Sequence, residues 1–195
     1  MKKCKIIGLT GQSGAGKSTV AKYFEENNIN VINADVIVHR LYGCDSACKR
    51  AVCAVFGNDI ATSDGGIDRK LLAERAFSSK DNTKLLGSVV HPFVMAEFLA
   101  EVKNSGSEVV VYDAPQLFES NADVICDLVV SVVADEAVRL QRICKRDNIS
   151  EELAKMRLSV QLGESFFREN SDFIIENNDN IDILKEQILN LVNTL

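Results

Sequence analysis

No apolar run in the 195-residue sequence approaches the ~18 residues that a membrane-spanning helix needs. The start, MKKCKIIGLTG, has a charged lead, but its apolar stretch is too short for a secretory signal. Together these absences give the expectation of a cytoplasmic protein with no membrane partner. The six cysteines (Cys4, Cys44, Cys48, Cys53, Cys126 and Cys144) include no C-x-x-C pair and have no histidine at zinc spacing. They read as small apolar residues in a reducing compartment, with a disulfide or metal site as the alternative. Positive charge is also short, since 22 Lys and Arg stand against 28 Asp and Glu for a net charge of −6. That balance argues against a primary nucleic-acid role, which needs clustered cations, but not against local pockets for small anions. Repeats and low-complexity segments are absent. With 46% hydrophobic and 26% charged residues, the chain is neither disordered nor collagen-like.

What is present is an alternation of strand and helix patterns. Lys5–Thr10 (KIIGLT) is a β-branched run that ends in glycines, and STVAKYFEENN after it reads as a helix. Asn28–Asp35 reads as a second strand. Glu108–Pro115 and Asp127–Asp135 are Val-rich runs of the kind that strands covered on both faces show, and Asp172–Asn177 is a fifth strand. Helical patterns fill the intervals, including DEAVRLQRICKR, SEELAKMRLSVQLGESFF and the final NIDILKEQILNLVNTL. This order predicts an α/β fold with a five-stranded, mainly parallel sheet in one domain, residues 1–195. The crossover of residues 36–107 is far longer than the dozen or so residues a parallel connection needs. It reads as helical around 45–56, 68–77 and 80–104, and is expected to wall a substrate pocket; a packing subdomain without a ligand is the alternative.

The sharpest motif is Gly11-Gln12-Ser13-Gly14-Ala15-Gly16-Lys17-Ser18, followed by Thr19, which matches G-x-x-x-x-G-K-[ST] between a strand and a helix. Glycines let successive backbone N–H groups turn toward phosphate oxygens, and the helix start adds its positive dipole end. Lys17 is placed to reach the β- and γ-phosphates, and Ser18 to offer a hydroxyl to Mg²⁺. Asp113, ending the third strand, is the candidate for holding that metal through its water shell, with a turn-forming role before Pro115 as the alternative. Asp35 follows the second strand and shares a helix face with His39. A phosphate acceptor needs no base but needs arginine clamps, and only Arg40 lies near. A hydroxyl acceptor must lose a proton, so Asp35 favours an alcohol, although it could simply cap a helix. Arg139, Arg142 and Arg146 fall on one helix face and suit neutralisation of a transferring phosphoryl group, or else form a solvated basic face. His91-Pro92 and Asp68-Arg69 lie in the long crossover.

These landmarks together resemble the dephospho-coenzyme A kinase family over nearly the whole chain. The resemblance rests on GLTGQSGAGKSTVAKYF, NVINADVIVHRL, FGNDI, DGGIDRKLLAERAF, HPFV, DAPQLFES, RLQRICKRD with RLSVQL, and DFIIENN. It implies a three-layer P-loop fold like that of nucleoside monophosphate kinases, with a helical acceptor-binding insertion (36–107) and a lid (139–168). The implied reaction is ATP-dependent phosphorylation of the ribose 3′-hydroxyl of dephospho-coenzyme A, with Mg²⁺. Asp35 then stands as catalytic base, Lys17 as phosphate-binding lysine, and Arg142 and Arg146 as lid arginines. His39, Arg69, His91 and Pro115 belong to the acceptor pocket, and Asn177 to the adenine surround. Two positions depart from the family pattern: Asn33, where a strand-end turn D-A-D commonly has its first acid, and Gln116, where P-L-L has an apolar residue. Two rival readings stay open, another P-loop kinase for a nucleotide or alcohol, and a non-catalytic nucleotide switch.

Overall fold

The computed structural model describes residues 4–178 and 180–194. Two compact units emerge, one formed by the chain up to Ile32 together with Ser107 onward, the other by Asn33–Gly106. The first unit is built on the expected sheet. Its strands are β1 (Lys5–Gly11), β2 (Asn30–Asn33), β3 (Val109–Asp113), β4 (Leu128–Val133) and β5 (Phe173–Glu176), in the order β2-β3-β1-β4-β5. Pairing is parallel between β1 and β3, β1 and β4, and β4 and β5. Among the described residues, the α-helices of this unit are α1 (Lys17–Glu26), α6 (Glu136–Asp147), α7 (Glu151–Ser159), α8 (Glu164–Asn170) and α9 (Ile181–Val192). Its core forms where Ile7, Leu9, Val111, Val130, Val132 and Ile175 of the strands meet Val20 and Phe24 of α1 and Leu184 and Ile188 of α9. Completely burying a side chain such as Phe24 contributes ~1.5–3 kcal/mol relative to leaving it in water, so this layer supplies much of the stability.

β1 runs one residue further than the sequence suggests, to Gly11, whereas β2–β5 are shorter than their patterns. Asn28 takes a left-handed φ of 61°, which turns the chain between α1 and β2. Asp35 is already helical. Pro115 and Gln116 lie in a turn beyond β3, where Gln116 is exposed and Leu117 is fully buried. The polar residue at the family's apolar position therefore buries no polar group. The helical pattern of residues 150–167 splits at 160–163, with Gly163 at the start of α8, so it forms two helices instead of one.

The second unit holds α2 (Ala34–Tyr42), α3 (Ala47–Phe56), α4 (Arg69–Ala76) and α5 (Lys80–Ser105). The α5 helix packs against the other three and buries Val90, Val94 and Phe98. It runs through Pro92, which cannot donate to the carbonyl of Ser88 one turn earlier. Contrary to the expectation from the sequence, α5 is long and apolar enough to cross a membrane by length and composition, with a mean hydropathy of 1.5 over 18 residues. It is nevertheless tied into its unit by polar contacts, because Arg40 of α2 donates to Glu97 at 3.1 Å and to Glu101 at 2.6 Å. Cys48 and Cys53 are buried in α3 as apolar residues, whereas Cys44 is exposed. Burial pushes the Cys48 thiol up to about 11 and the Cys126 thiol up to about 12, which keeps both protonated near neutral pH.

Candidate active site

In the first unit the glycine loop follows β1, whose neighbours β3 and β4 lie on either side of it; this is the switch point where α/β sheets bind ligands. The loop is held along its carbonyl edge. Arg142 of α6 donates to the carbonyls of Gly14 and Ala15 at 3.4 Å and to that of Asn177 at 2.9 Å. The Asn177 side chain donates to the Ala15 carbonyl at 2.7 Å. Inside the loop, the N–H of Ala15 is satisfied by the Gln12 carbonyl, and that of Gln12 by Val132. The N–H groups of Gly14, Gly16, Lys17 and Ser18 have no protein acceptor among the described residues. Four unpaired amides at a helix start form an anion cradle.

Two glycines of the loop are required by their neighbours. Gly16 has φ 94°, and a Cβ there would collide with Nδ2 of Asn177. A Cβ on Gly14, φ 80°, would lie 2.8 Å from the Arg139 carbonyl of α6. The Gln12 side chain is buried, and its Oε1 has no partner among the described residues. Gln12 therefore faces the protein, and its backbone shapes the loop without adding an open N–H to the cradle.

Lys17 donates its ammonium to Asp113, whose side chain is 4% exposed. Parallel register puts Asp113 beside Leu9, two residues before the loop begins, so the pair follows from the sheet. The carboxylate keeps the lysine folded over the loop. An arriving phosphate offers the ammonium a second anionic partner. Ser18 is exposed and its hydroxyl has no protein partner among the described residues. Among the described residues, no three His, Cys, Asp or Glu side chains gather as a metal cage. Mg²⁺ does not require one, since it usually takes one or two protein oxygens and completes its shell with phosphate and water. The Ser18 hydroxyl and the Asp113 carboxylate fit that donor set.

The other residues of the first unit divide clearly. Arg139 is buried and turned inward, with Nε donating to the Ala134 carbonyl at 3.0 Å. Its place on the arginine face is thus spent on packing. Arg146, at the exposed end of α6, forms a two-point pair with Asp147 at 2.7 and 3.0 Å. Arg157 of α7 also donates to Asp147, at 2.8 Å. The Arg146 hydrogen bond, with the charges of both arginines, holds the Asp147 carboxyl below the usual carboxylate range. The Pro115 carbonyl accepts from the Thr10 hydroxyl at 3.3 Å, which fixes the turn after β3.

In the second unit Asn33 caps α2, its Oδ1 accepting from the Val36 N–H at 3.0 Å. Asp35 is consequently not the cap. It sits in the first turn, exposed, and has no side-chain partner among the described residues. The departure from D-A-D thus leaves the cap intact, because asparagine and aspartate cap about equally well. Asn33→Ala is expected to destabilise by ~1 kcal/mol, about 2–4 °C in Tm for a chain of this length, while Asn33→Asp leaves Tm unchanged. Thermal denaturation checks both, and equal Tm values for all three proteins would remove the capping assignment.

His39, one turn after Asp35, is joined to Arg69, whose Nη2 lies 2.6 Å from Nδ1 of the imidazole. A guanidinium only donates, so Nδ1 accepts and the ring proton in this pairing is on Nε2. Arg69 also stands 6.0 Å over the ring of Tyr42. Asp68 accepts from the N–H groups of Lys70 and Leu71 and so caps α4, which fixes Arg69 at its first position. The His91 ring lies against Gly87 one turn earlier on α5. Asp35, His39, Arg69 and His91 all belong to the second unit, and the loop residues, Asp113, Pro115, Arg142, Arg146 and Asn177 to the first. Sequence reasoning did not single out Tyr42 or Gln161. Tyr42 had no signal beyond its distance from Asp35, and Gln161 only its place in RLSVQL.

A five-stranded parallel sheet with a glycine loop at the end of its first strand, a loop lysine paired with the acid of the adjacent strand, and helices around the sheet defines the P-loop kinase class. A family model described as dephospho-CoA kinase matches residues 5–182. A dephospho-CoA kinase of Fusobacterium nucleatum is 37% identical over 191 residues, covering 97% of this chain and 98% of the relative. Among solved structures, a Thermus thermophilus protein superposes with a TM-score of 0.87 at 27% identity, with 99% of this chain and 98% of that one covered. A dephospho-CoA kinase from Campylobacter jejuni gives 0.69 at 25% identity, covering 96% and 95%. The chain belongs to the dephospho-CoA kinase family.

Proposed function

We propose that the chain transfers the terminal phosphoryl group of ATP to the ribose 3′-hydroxyl of dephospho-CoA, giving CoA and ADP, the last step of coenzyme A biosynthesis. One observation carries the reading: the family match spans residues 5–182 and includes a phosphate cradle with four unpaired N–H groups.

In this reading each residue has a physical task. The amides of Gly14, Gly16, Lys17 and Ser18 bind phosphate oxygens, and Arg142 and Asn177 keep the loop in shape from its carbonyl edge. Gly11 and Thr19 bracket the loop. Lys17 exchanges Asp113 for the β- and γ-phosphates. Mg²⁺ would bind at Ser18, with Asp113 acting through its water shell, and when bound it neutralises charge on the β,γ-oxygens. Asp35 accepts the proton of the 3′-hydroxyl, an assignment that suits an exposed carboxylate released from capping duty. His39, Arg69, His91 and Pro115 contact the acceptor. Arg142 and Arg146, in the lid of residues 139–168, add positive charge for the transferring group, and Asn177 contacts the adenine. The reading places the enzyme in the cytoplasm, acting on two small molecules and on neither nucleic acid nor membrane.

A coupled assay for ADP tests the reaction. ADP release is expected with MgATP and dephospho-CoA together and only at background without the acceptor. Equal release with and without dephospho-CoA would refute the reading and favour a nucleotide switch; release driven instead by a nucleotide or another alcohol would reassign the acceptor.

A further inference from the structure

One amide of the phosphate loop, that of Ser13, is taken by a side chain from a distant segment. The N–H of Ser13 donates to Oε1 of Gln161 at 3.3 Å, across 148 residues of sequence. Gln161 lies in the turn between α7 and α8, where the expected single helix breaks, and its side chain is exposed. Its other terminal atom, Nε2, has no protein acceptor among the described residues. A carboxamide has its oxygen and its nitrogen fixed side by side. When Oε1 is held by Ser13, Nε2 of the same carboxamide is therefore held at the loop as well. The segment between α7 and α8 thus brings a carboxamide donor to the phosphate loop.

We propose that Gln161 is a contact to the terminal phosphoryl group of the nucleotide, with Oε1 anchored on the Ser13 N–H and Nε2 donating to a phosphate oxygen. This deepens the kinase reading above and rests on it. Glutamine suits the task because one neutral group is acceptor for the loop and donor for the anion. A carboxylate at the same place could accept from Ser13 but would repel the phosphate. An alkyl side chain would do neither. The contact also discriminates between nucleotides, because the group it touches is present in ATP and absent from ADP.

The test compares Gln161→Ala and Gln161→Glu with the wild-type chain, measuring acceptor-dependent turnover and the binding of ADP and of a non-hydrolysable ATP analogue with Mg²⁺. A hydrogen bond to a charged group gives an expected loss of about 10–100-fold in kcat for Gln161→Ala. Weaker binding of the ATP analogue is expected alongside ADP binding within about twofold of wild type, and the unchanged ADP affinity certifies a folded loop. Gln161→Glu is expected to be no more active than Gln161→Ala. Wild-type turnover in Gln161→Ala overturns the proposal. Equal losses of ADP and ATP affinity overturn it in favour of a structural role. Tighter analogue binding by Gln161→Ala overturns it too, since the glutamine would then be a competitor for the Ser13 amide. Activity of Gln161→Glu near wild type would reduce the residue to an acceptor for Ser13. All of these leave the wild-type reaction standing, whereas absence of dephospho-CoA-dependent ADP release from the wild-type chain would fail the kinase reading itself.

Discussion

Replacing Asp35 by Asn is expected to cut kcat by roughly 10²–10⁴, the usual range for loss of a positioned general base. The amide keeps the size of the side chain but cannot take the proton. Phosphoryl transfer passes through a loose transition state with little early proton movement, which favours the lower part of that range. The structure makes the experiment unusually clean. Because Asn33 caps α2 and Asp35 has no side-chain partner among the described residues, the substitution removes no native hydrogen bond. Surface changes of this kind stay within about 0.5 kcal/mol, so Tm is expected to move by no more than about two degrees. Steady-state kinetics and thermal denaturation on the same preparation check both expectations. Turnover within threefold of wild type would strip Asp35 of its role as base.

The second large effect is expected for Lys17→Met. It removes the cation that reaches the donor phosphates, and loss of one preorganised charge-stabilising group costs about 10²–10³ in kcat. It also leaves a buried carboxylate without its lysine, since Asp113 is only 4% exposed. Breaking one side of a buried pair costs about 3–5 kcal/mol. Lys17 is 16% exposed, so the lower part of that range applies. The two effects separate in a double variant. Adding Asp113→Asn to Lys17→Met removes the buried negative charge left by loss of the lysine, and Tm should recover in part while turnover does not. A double variant no more stable than Lys17→Met would show that the ammonium stabilises the fold by some route other than this ion pair.

Much of this architecture is legible in the sequence. The Val-rich runs became β3 and β4, and Gly11–Ser18 became a strand–loop–helix because glycine spacing and β-branching are local properties. What could not be read depended on packing between distant segments. Arg139, Arg142 and Arg146 share a helical period, but periodicity does not say which of them is turned inward. Contact with the loop at Gly14 buries the Arg139 region of α6 and leaves Arg146 to Asp147. The sequence offers Asp35 as a possible helix cap, but Asn33 takes that role, since both types cap helices and only the strand's end selects one. The break between α7 and α8 had a cue in Gly163, but the reach of Gln161 to Ser13 had none, because no spacing rule connects residues so far apart in sequence.

The meeting of Gly16 with Asn177 bears on the order in which the protein is made. The nucleotide loop is synthesised before β3 and β4, between which β1 lies, and well before Asn177, which grips Ala15. A nascent chain arrested before β5 would carry the whole glycine motif and still lack the brace that shapes it. Nucleotide capture should therefore arise only once Asn177 has emerged and docked, and a product truncated before it ought to be a poor competitor for cellular ATP.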